Sequence, residues 1–60
     1  MNTILILAQA LAKVSTLNID RLDFQYDHAN EEYFARVWLT NEDNKVTAIY
    51  NIKEDGTITK

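Results

Sequence analysis

The residues best suited to acid–base chemistry lie together in one short segment. His28 directly follows Asp27, and Glu31 and Glu32 come a few residues later. A histidine beside carboxylates can act as a general base or hold a metal ion. The chain has one histidine, no cysteine and no serine near His28, so neither a nitrogen or thiolate metal site nor an activated nucleophile can form there. We therefore interpret His28 as a solvated turn residue and predict no catalytic, metal-binding or cofactor-binding residues.

Two further kinds of site need sequence patterns that this chain does not contain. Phosphate-binding loops need several glycines, and the chain has only Gly56. Calcium loops need alternating carboxylates followed by glycine at fixed spacing, which neither 41–44 nor 53–56 provides. Because a chain of sixty residues rarely builds the walls of a pocket, we predict a protein that is not an enzyme and uses no cofactor.

Acidic residues outnumber basic ones and give the chain a net charge of −3 and an isoelectric point near 4.8. The six basic residues are spread singly along the sequence, so we predict no direct binding to nucleic acid. Four carboxylates within residues 20–32 form the predicted acidic partner surface: Asp23, Asp27, Glu31 and Glu32. Two interpretations stay open for it. It is either a solvated strand face and turn, or a surface that imitates nucleic-acid phosphates and docks on a basic partner.

These side chains must be positioned by a helix and a set of strands. The N-terminal segment is rich in Ala and Leu and has apolar residues at helical spacing, which predicts a helix capped by Asn2 or Thr3. Ser15 and Thr16 mark its end. The apolar run inside it is too short for a signal peptide, has no Lys or Arg before it, and is interrupted by polar residues too soon to span a membrane.

From Asp20 onwards the hydrophobic pattern alternates with a period of two, which is typical of strands with one buried face. Polar turns divide this region into three strands, which we place near residues 22–26, 33–40 and 45–52. Residues 57–59 are either a short fourth strand or an extended tail. The sequence therefore predicts a single α+β domain over residues 1–60, with one N-terminal helix packed on an antiparallel meander sheet of three or four strands.

One face of the predicted sheet matches the apolar stripe of the helix and is the predicted core. On the helix, the stripe consists of Ile4, Leu7, Ala8, Leu11, Ala12 and either Val14 or Ser15. On the sheet, the residues of this face are Leu22, Phe24, Tyr26, Ala35, Val37, Leu39, Val46, Ala48, Tyr50 and Ile52. Burial of these side chains against each other is the main source of stability that the sequence offers.

The opposite face of the sheet should be exposed to solvent, yet it carries large apolar side chains. Phe34, Trp38 and Ile49 fall on it, with Arg36 between the two aromatic residues. Clustered exposed aromatics mark interaction surfaces, and Trp is strongly enriched at binding hot spots. These four residues are the predicted interface. The alternative is that the helix covers this face and the assignment of the two faces is inverted.

The small size of the chain favours self-association. Sixty residues bury little surface, and without cysteine or a metal site the remaining means of stabilisation is a second copy. We therefore predict a homodimer with Trp38 in the contact, acting as a cytoplasmic regulator or inhibitor of a protein partner, of the kind that phages and mobile elements use against host machinery. The alternative function is an acidic decoy that occupies a nucleic-acid-binding protein. No membrane association is predicted.

Overall fold

The computed structural model describes residues 3–60 and shows one helix packed against a four-stranded antiparallel sheet. In chain order the elements are α1 (Thr3–Ser15), β1 (Asn18–Asp27), β2 (Glu32–Thr40), β3 (Val46–Lys53) and β4 (Ile58–Thr59). The strands lie side by side in the order β1-β2-β3-β4, so every connection joins neighbours. The predicted α+β meander is confirmed, and the last segment does form a short fourth strand. The predicted cap at Asn2 lies outside the described residues.

Helix α1 ends where predicted, in a backbone arrangement that turns the chain sharply into the sheet. The N–H of Thr16 donates to the carbonyl of Lys13 at 3.2 Å, and the N–H of Leu17 donates to the carbonyl of Ala12 at 2.9 Å. This pair of bonds forms a Schellman motif, which needs a left-handed residue just after the helix. Thr16 takes that conformation, with a φ of 55°.

The core is a thin layer between α1 and the middle of the sheet. Ile4, Ala8 and Ala12 recur every four residues along one side of the helix and are 4%, 0% and 7% exposed. The short side chains of the two alanines let the helix approach the sheet closely. The fully buried side chains of the sheet beneath them are Ala35, Val37, Leu39 and Ile52. The helix stripe and the centre of the predicted sheet face are thus confirmed as the core.

The helix is shorter than the sheet it covers, which corrects the predicted core. Thirteen helical residues extend about 20 Å, whereas the ten residues of β1 extend about 33 Å. Phe24 and Tyr26 are 53% and 40% exposed, and Tyr33, which lies opposite Tyr26, is 57% exposed. The prediction that Phe24 and Tyr26 are buried is therefore wrong, because one short helix cannot cover both ends of the sheet. We call Phe24, Tyr26 and Tyr33 the uncovered aromatic end.

Two valines at the other end of the domain also depart from the predicted core. Val46 is 50% exposed, where the pairing of β2 with β3 shifts register between Leu39 and Thr40. Such a bulge re-aims side chains near the start of a strand, so simple alternation fails there. Of the two residues predicted for the end of the helix stripe, Ser15 is partly buried and Val14 is 84% exposed.

Candidate interaction surface

The face of the sheet turned away from α1 has no layer of structure over it among residues 3–60. Because successive strand residues point to opposite sides, Arg36 and Trp38 point away from the buried Val37. Trp38 lies directly opposite Ile49 on β3, so the two apolar side chains are neighbours on this side. The helix packs on the other side, so the alternative in which it covers Trp38 does not apply. We call the side without the helix the open face.

Trp38 is partly covered by Arg21, which is not among the predicted interface residues. Arg21 lies directly opposite Trp38 on β1, and its guanidinium carbon is 4.8 Å from the ring centroid, within cation–π distance. Trp38 is consequently half-buried, whereas Ile49 is 43% exposed. The signal for this contact is the pairing register of β1 with β2. That register depends on the turn between the strands and cannot be read from hydrophobic alternation.

Phe34 lies on the open face but does not join the Trp38–Ile49 pair. Arg36 lies between the two aromatic residues on β2, and its Nε donates to Oδ1 of Asn51 at 3.2 Å. Four residues of a strand extend about 13 Å, so this polar pair separates the two rings. The structure therefore brings Trp38 and Ile49 together and leaves Phe34 as a separate, half-buried aromatic residue.

Charged side chains of both signs surround the apolar centre of the open face. Nζ of Lys53 is 3.0 Å from Oε1 of Glu32, and this ion pair raises the pKa of Lys53. Asp23 lies directly opposite Arg36. By strand register the face carries three basic and three acidic residues: Arg21, Arg36, Lys53, Asp23, Asp27 and Glu32. The open face therefore has no net charge, although the chain as a whole carries −3.

The predicted acidic partner surface is largely engaged in contacts within the chain. Oδ1 of Asp27 accepts two backbone N–H groups of the following turn at 3.0 and 3.3 Å, and its Oδ2 accepts Nδ2 of Asn30 at 2.8 Å. These bonds, the Asn30 side chain foremost, lower the pKa of Asp27. Asp23 accepts a hydrogen bond from Gln25 at 3.2 Å, and Glu32 forms the ion pair described above. Three of the four predicted carboxylates thus serve contacts inside the fold.

The turn between β1 and β2 holds the fourth carboxylate, Glu31, together with His28. Both side chains are exposed, and Glu31 has a left-handed φ of 51°. The His28 ring packs edge-on against Tyr26, with 4.9 Å between centroids, and Tyr26 packs edge-on against Tyr33 at 4.7 Å. Within residues 3–60 no group of three or more His, Asp or Glu side chains could hold a metal ion. His28 thus extends the uncovered aromatic end into the turn.

The uncovered aromatic end is the surface that the hydrophobic pattern did not indicate. The hydrophobic alternation places these side chains on the helix side of the sheet, but it does not indicate whether the helix reaches them. The predicted first strand, 22–26, extends only about 17 Å, which is shorter than the helix, so the predicted elements showed no such mismatch. The mismatch arises with the ten residues that β1 has in the structure.

Comparisons with protein-family models, with curated proteins and with solved structures found no match to this chain. In the part of the chain that the structure describes, no helix is long and apolar enough to cross a membrane. The function must therefore be argued from the surfaces themselves.

Proposed function

We propose that this chain is a small, acidic, non-enzymatic protein-interaction module. It self-associates, and its open face is a surface that contacts a protein partner. The observation that carries the proposal is the Trp38–Ile49 pair, which lies on a sheet face without a covering layer in residues 3–60. Trp and Arg are enriched at binding hot spots, and Arg21 lies within cation–π distance of Trp38 here. An apolar centre inside a rim of mixed charge is the usual anatomy of a protein interface.

Self-association is supported by the balance of buried and exposed surface. The core is one thin layer, and the chain has no disulfide to supplement it. Large side chains remain exposed on the helix side too, including Phe24 at 53% and Tyr33 at 57%. A second copy that covers such side chains adds stability that one copy lacks. Two-fold pairing is the commonest arrangement of this kind.

The proposed role is that of a cytoplasmic regulator or inhibitor, of the kind that phages and mobile elements use against host proteins. The support for it is compositional: a short, acidic chain without cysteine suits a reducing compartment. Such a protein acts by occupying a partner's surface. Catalytic residues play no part in the proposal.

The alternative, an acidic decoy for a nucleic-acid-binding protein, has less support. A decoy needs a continuous negative surface to compete for a site built for phosphates. The open face has no net charge, and three of the four predicted carboxylates are engaged within the chain. Tight binding of the parent to a basic nucleic-acid-binding domain, lost when those four carboxylates become amides, is the result that would favour the decoy.

Sedimentation at micromolar concentration tests the self-association. We expect a species of twice the 6.9 kDa mass of the chain. Trp38 is the only tryptophan, so quenching of its fluorescence by acrylamide reports on the open face alone. Quenching that decreases as the protein concentration rises would put Trp38 in the contact between copies, as the sequence predicts. Constant quenching would leave the open face to a different protein.

The control is Val14→Ala, which alters a side chain that is 84% exposed on the helix. This variant should match the parent in mass and in quenching, because Val14 lies on neither the open face nor the uncovered aromatic end. A parent that stays monomeric throughout the micromolar range would remove self-association from the proposal.

A further inference from the structure

Strand β1 forms one edge of the sheet and is paired on one side only. Its single neighbour is β2, so the backbone groups along its outer side have no strand to bond. It is ten residues long, whereas β4 at the other edge has two. Within residues 3–60 it is therefore the longest exposed strand edge, and an exposed edge is a template for adding another strand.

We propose that two copies of this chain join along β1, in antiparallel pairing, with a two-fold axis that passes between the two copies of Phe24. The inference rests on the self-association in the proposed function and identifies where the two copies meet. Antiparallel pairing of one edge with itself requires an axis perpendicular to the sheet. Both helices then lie on one side of a continuous eight-stranded sheet, and both open faces lie on the other.

Charge restricts the register of this pairing. Residues directly opposite each other in an antiparallel pair point to the same face, so the axis must lie between two copies of the same residue. The open-face residues of β1 are Arg21, Asp23, Gln25 and Asp27. An axis at Arg21 or Asp23 sets that residue against itself, and an axis at Gln25 sets Asp23 against Asp27. Within β1, only axes at Leu22 and Phe24 set Arg21 against a carboxylate of the second copy.

The bulge in β1 decides between these two registers. The pairing of β1 with β2 shifts at Asp20, which has no opposite residue. An axis at Leu22 would carry the new pairing through this bulge and would set Asp20 against Phe24, an acidic side chain against an aromatic one. An axis at Phe24 uses residues 21–27, all of which are in regular register. The regular part of the edge is thus centred on Phe24.

The same register covers the exposed aromatic side chains. On the helix side, Phe24 meets Phe24 of the second copy, and Tyr26 meets Leu22. In the single chain Phe24 and Tyr26 are 53% and 40% exposed. On the open face, Arg21 lies across from Asp27. The guanidinium of Arg21 carries five N–H donors, so its contact with the Trp38 ring leaves donors for that carboxylate.

Single-cysteine variants test the register, because the chain contains no cysteine. In Phe24→Cys the two Cα atoms would lie about 4.5–5.5 Å apart across the axis, within the range of a disulfide. In Leu22→Cys the two cysteines would be about 13 Å apart along the strands. Tyr33→Cys is the control for cross-linking by random collision, because Tyr33 lies on the neighbouring strand and is 57% exposed in the parent.

Under mild oxidation we expect Phe24→Cys to form a covalent dimer about tenfold faster than the other two variants. Preferential cross-linking of Leu22→Cys would overturn the proposed axis. Equal rates for the three variants would overturn pairing along β1 altogether.

Sedimentation of charged variants separates this inference from the proposed function. Phe24→Lys sets like charges against each other at the axis and should weaken the dimer by about 100-fold. An equimolar mixture of Phe24→Lys and Phe24→Glu should associate again, because the axis sets the two opposite charges face to face. Trp38→Ala should remain dimeric. Each variant must first show the circular dichroism spectrum of the parent, and if one fails to fold the cysteine variants still decide.

Two outcomes are decisive against the inference. A dimeric Phe24→Lys beside a monomeric Trp38→Ala would overturn it and leave the proposed function standing, with Trp38 as the contact between copies. A monomeric parent would remove self-association itself, and this inference with it.

Discussion

Asp27 shows how a single carboxylate in an acidic stretch is used inside the fold. Its oxygens accept hydrogen bonds from the turn after β1, and such bonds favour the ionised form. Asp55 plays the same part after β3, where its Oδ1 accepts the N–H of Thr57 at 2.9 Å. Both pKa values are lowered, mainly by Asn30 at Asp27 and by Thr57 at Asp55.

Acid should therefore destabilise the domain. Because the pKa values of Asp27 and Asp55 are lower in the folded chain, the unfolded chain binds protons first as the pH falls. The stabilisation is fully present above the ordinary aspartate pKa of about 3.9 and is lost as the pH falls through the lower, folded-state values. Urea unfolding at a series of pH values measures the loss.

The Asp27→Asn variant isolates this contribution. It should be less stable than the parent at neutral pH, and its stability should fall less between neutral pH and about pH 2. Asp43→Asn, which removes an exposed carboxylate from another turn, should stay closer to the parent. If Asp27→Asn lost as much stability in acid as the parent, Asp27 would not be one of the groups responsible.

At the scale of the elements, the backbone at the junction between α1 and β1 is strained, and a single substitution should relieve the strain. The Schellman motif there needs a left-handed residue, and Thr16 occupies that position with a φ of 55°. A residue with a Cβ atom is destabilised by about 1–2 kcal/mol in this conformation, and glycine is not. After allowing for the greater entropy of glycine in the unfolded chain, Thr16→Gly should stabilise the domain by about 0.5–1 kcal/mol.

Thermal unfolding checks this prediction with a matched control. For a domain of this size, 1 kcal/mol corresponds to a rise of about 4–8 °C in Tm, so Thr16→Gly should melt a few degrees higher. Thr16→Ala keeps the Cβ atom and should show no such gain. An equal rise in both variants would mean that the Thr16 side chain, rather than its backbone conformation, causes the strain.

The whole molecule measures 37 × 20 × 16 Å, so its core is shallow and each buried residue matters. Among residues 3–60, Leu39, Val37 and Ile52 are the largest fully buried side chains. Leu39→Ala should cost about 2–5 kcal/mol, which is comparable to the whole stability of a small domain. Circular dichroism with urea titration should find this variant largely unfolded.

The control is again Val14→Ala, because Val14 is apolar but 84% exposed. Its effect should be within about 0.5 kcal/mol. Equal stability of Leu39→Ala and Val14→Ala would show that the layer between α1 and the sheet is not what holds the domain together.

Local pattern in the sequence was enough to predict the elements and which side of each strand faces inward. The helical spacing of Ile4, Ala8 and Ala12 and the alternation around Val37 depend on periods of 3.6 and 2, which are properties of the backbone. Turn residues placed the connections for the same reason. The sequence also put Trp38 and Ile49 on the same side, because strand parity and antiparallel pairing are sufficient for that.

What only the tertiary structure decided is which residues stand opposite each other and how far the helix reaches. Arg21 meets Trp38, and Arg36 meets Asn51, because of pairing registers that span two turns and two bulges. Phe24 and Tyr26 are exposed because α1 is shorter than strand β1 beneath it. Both are long-range outcomes that no local period encodes, since they arise only when separate elements meet.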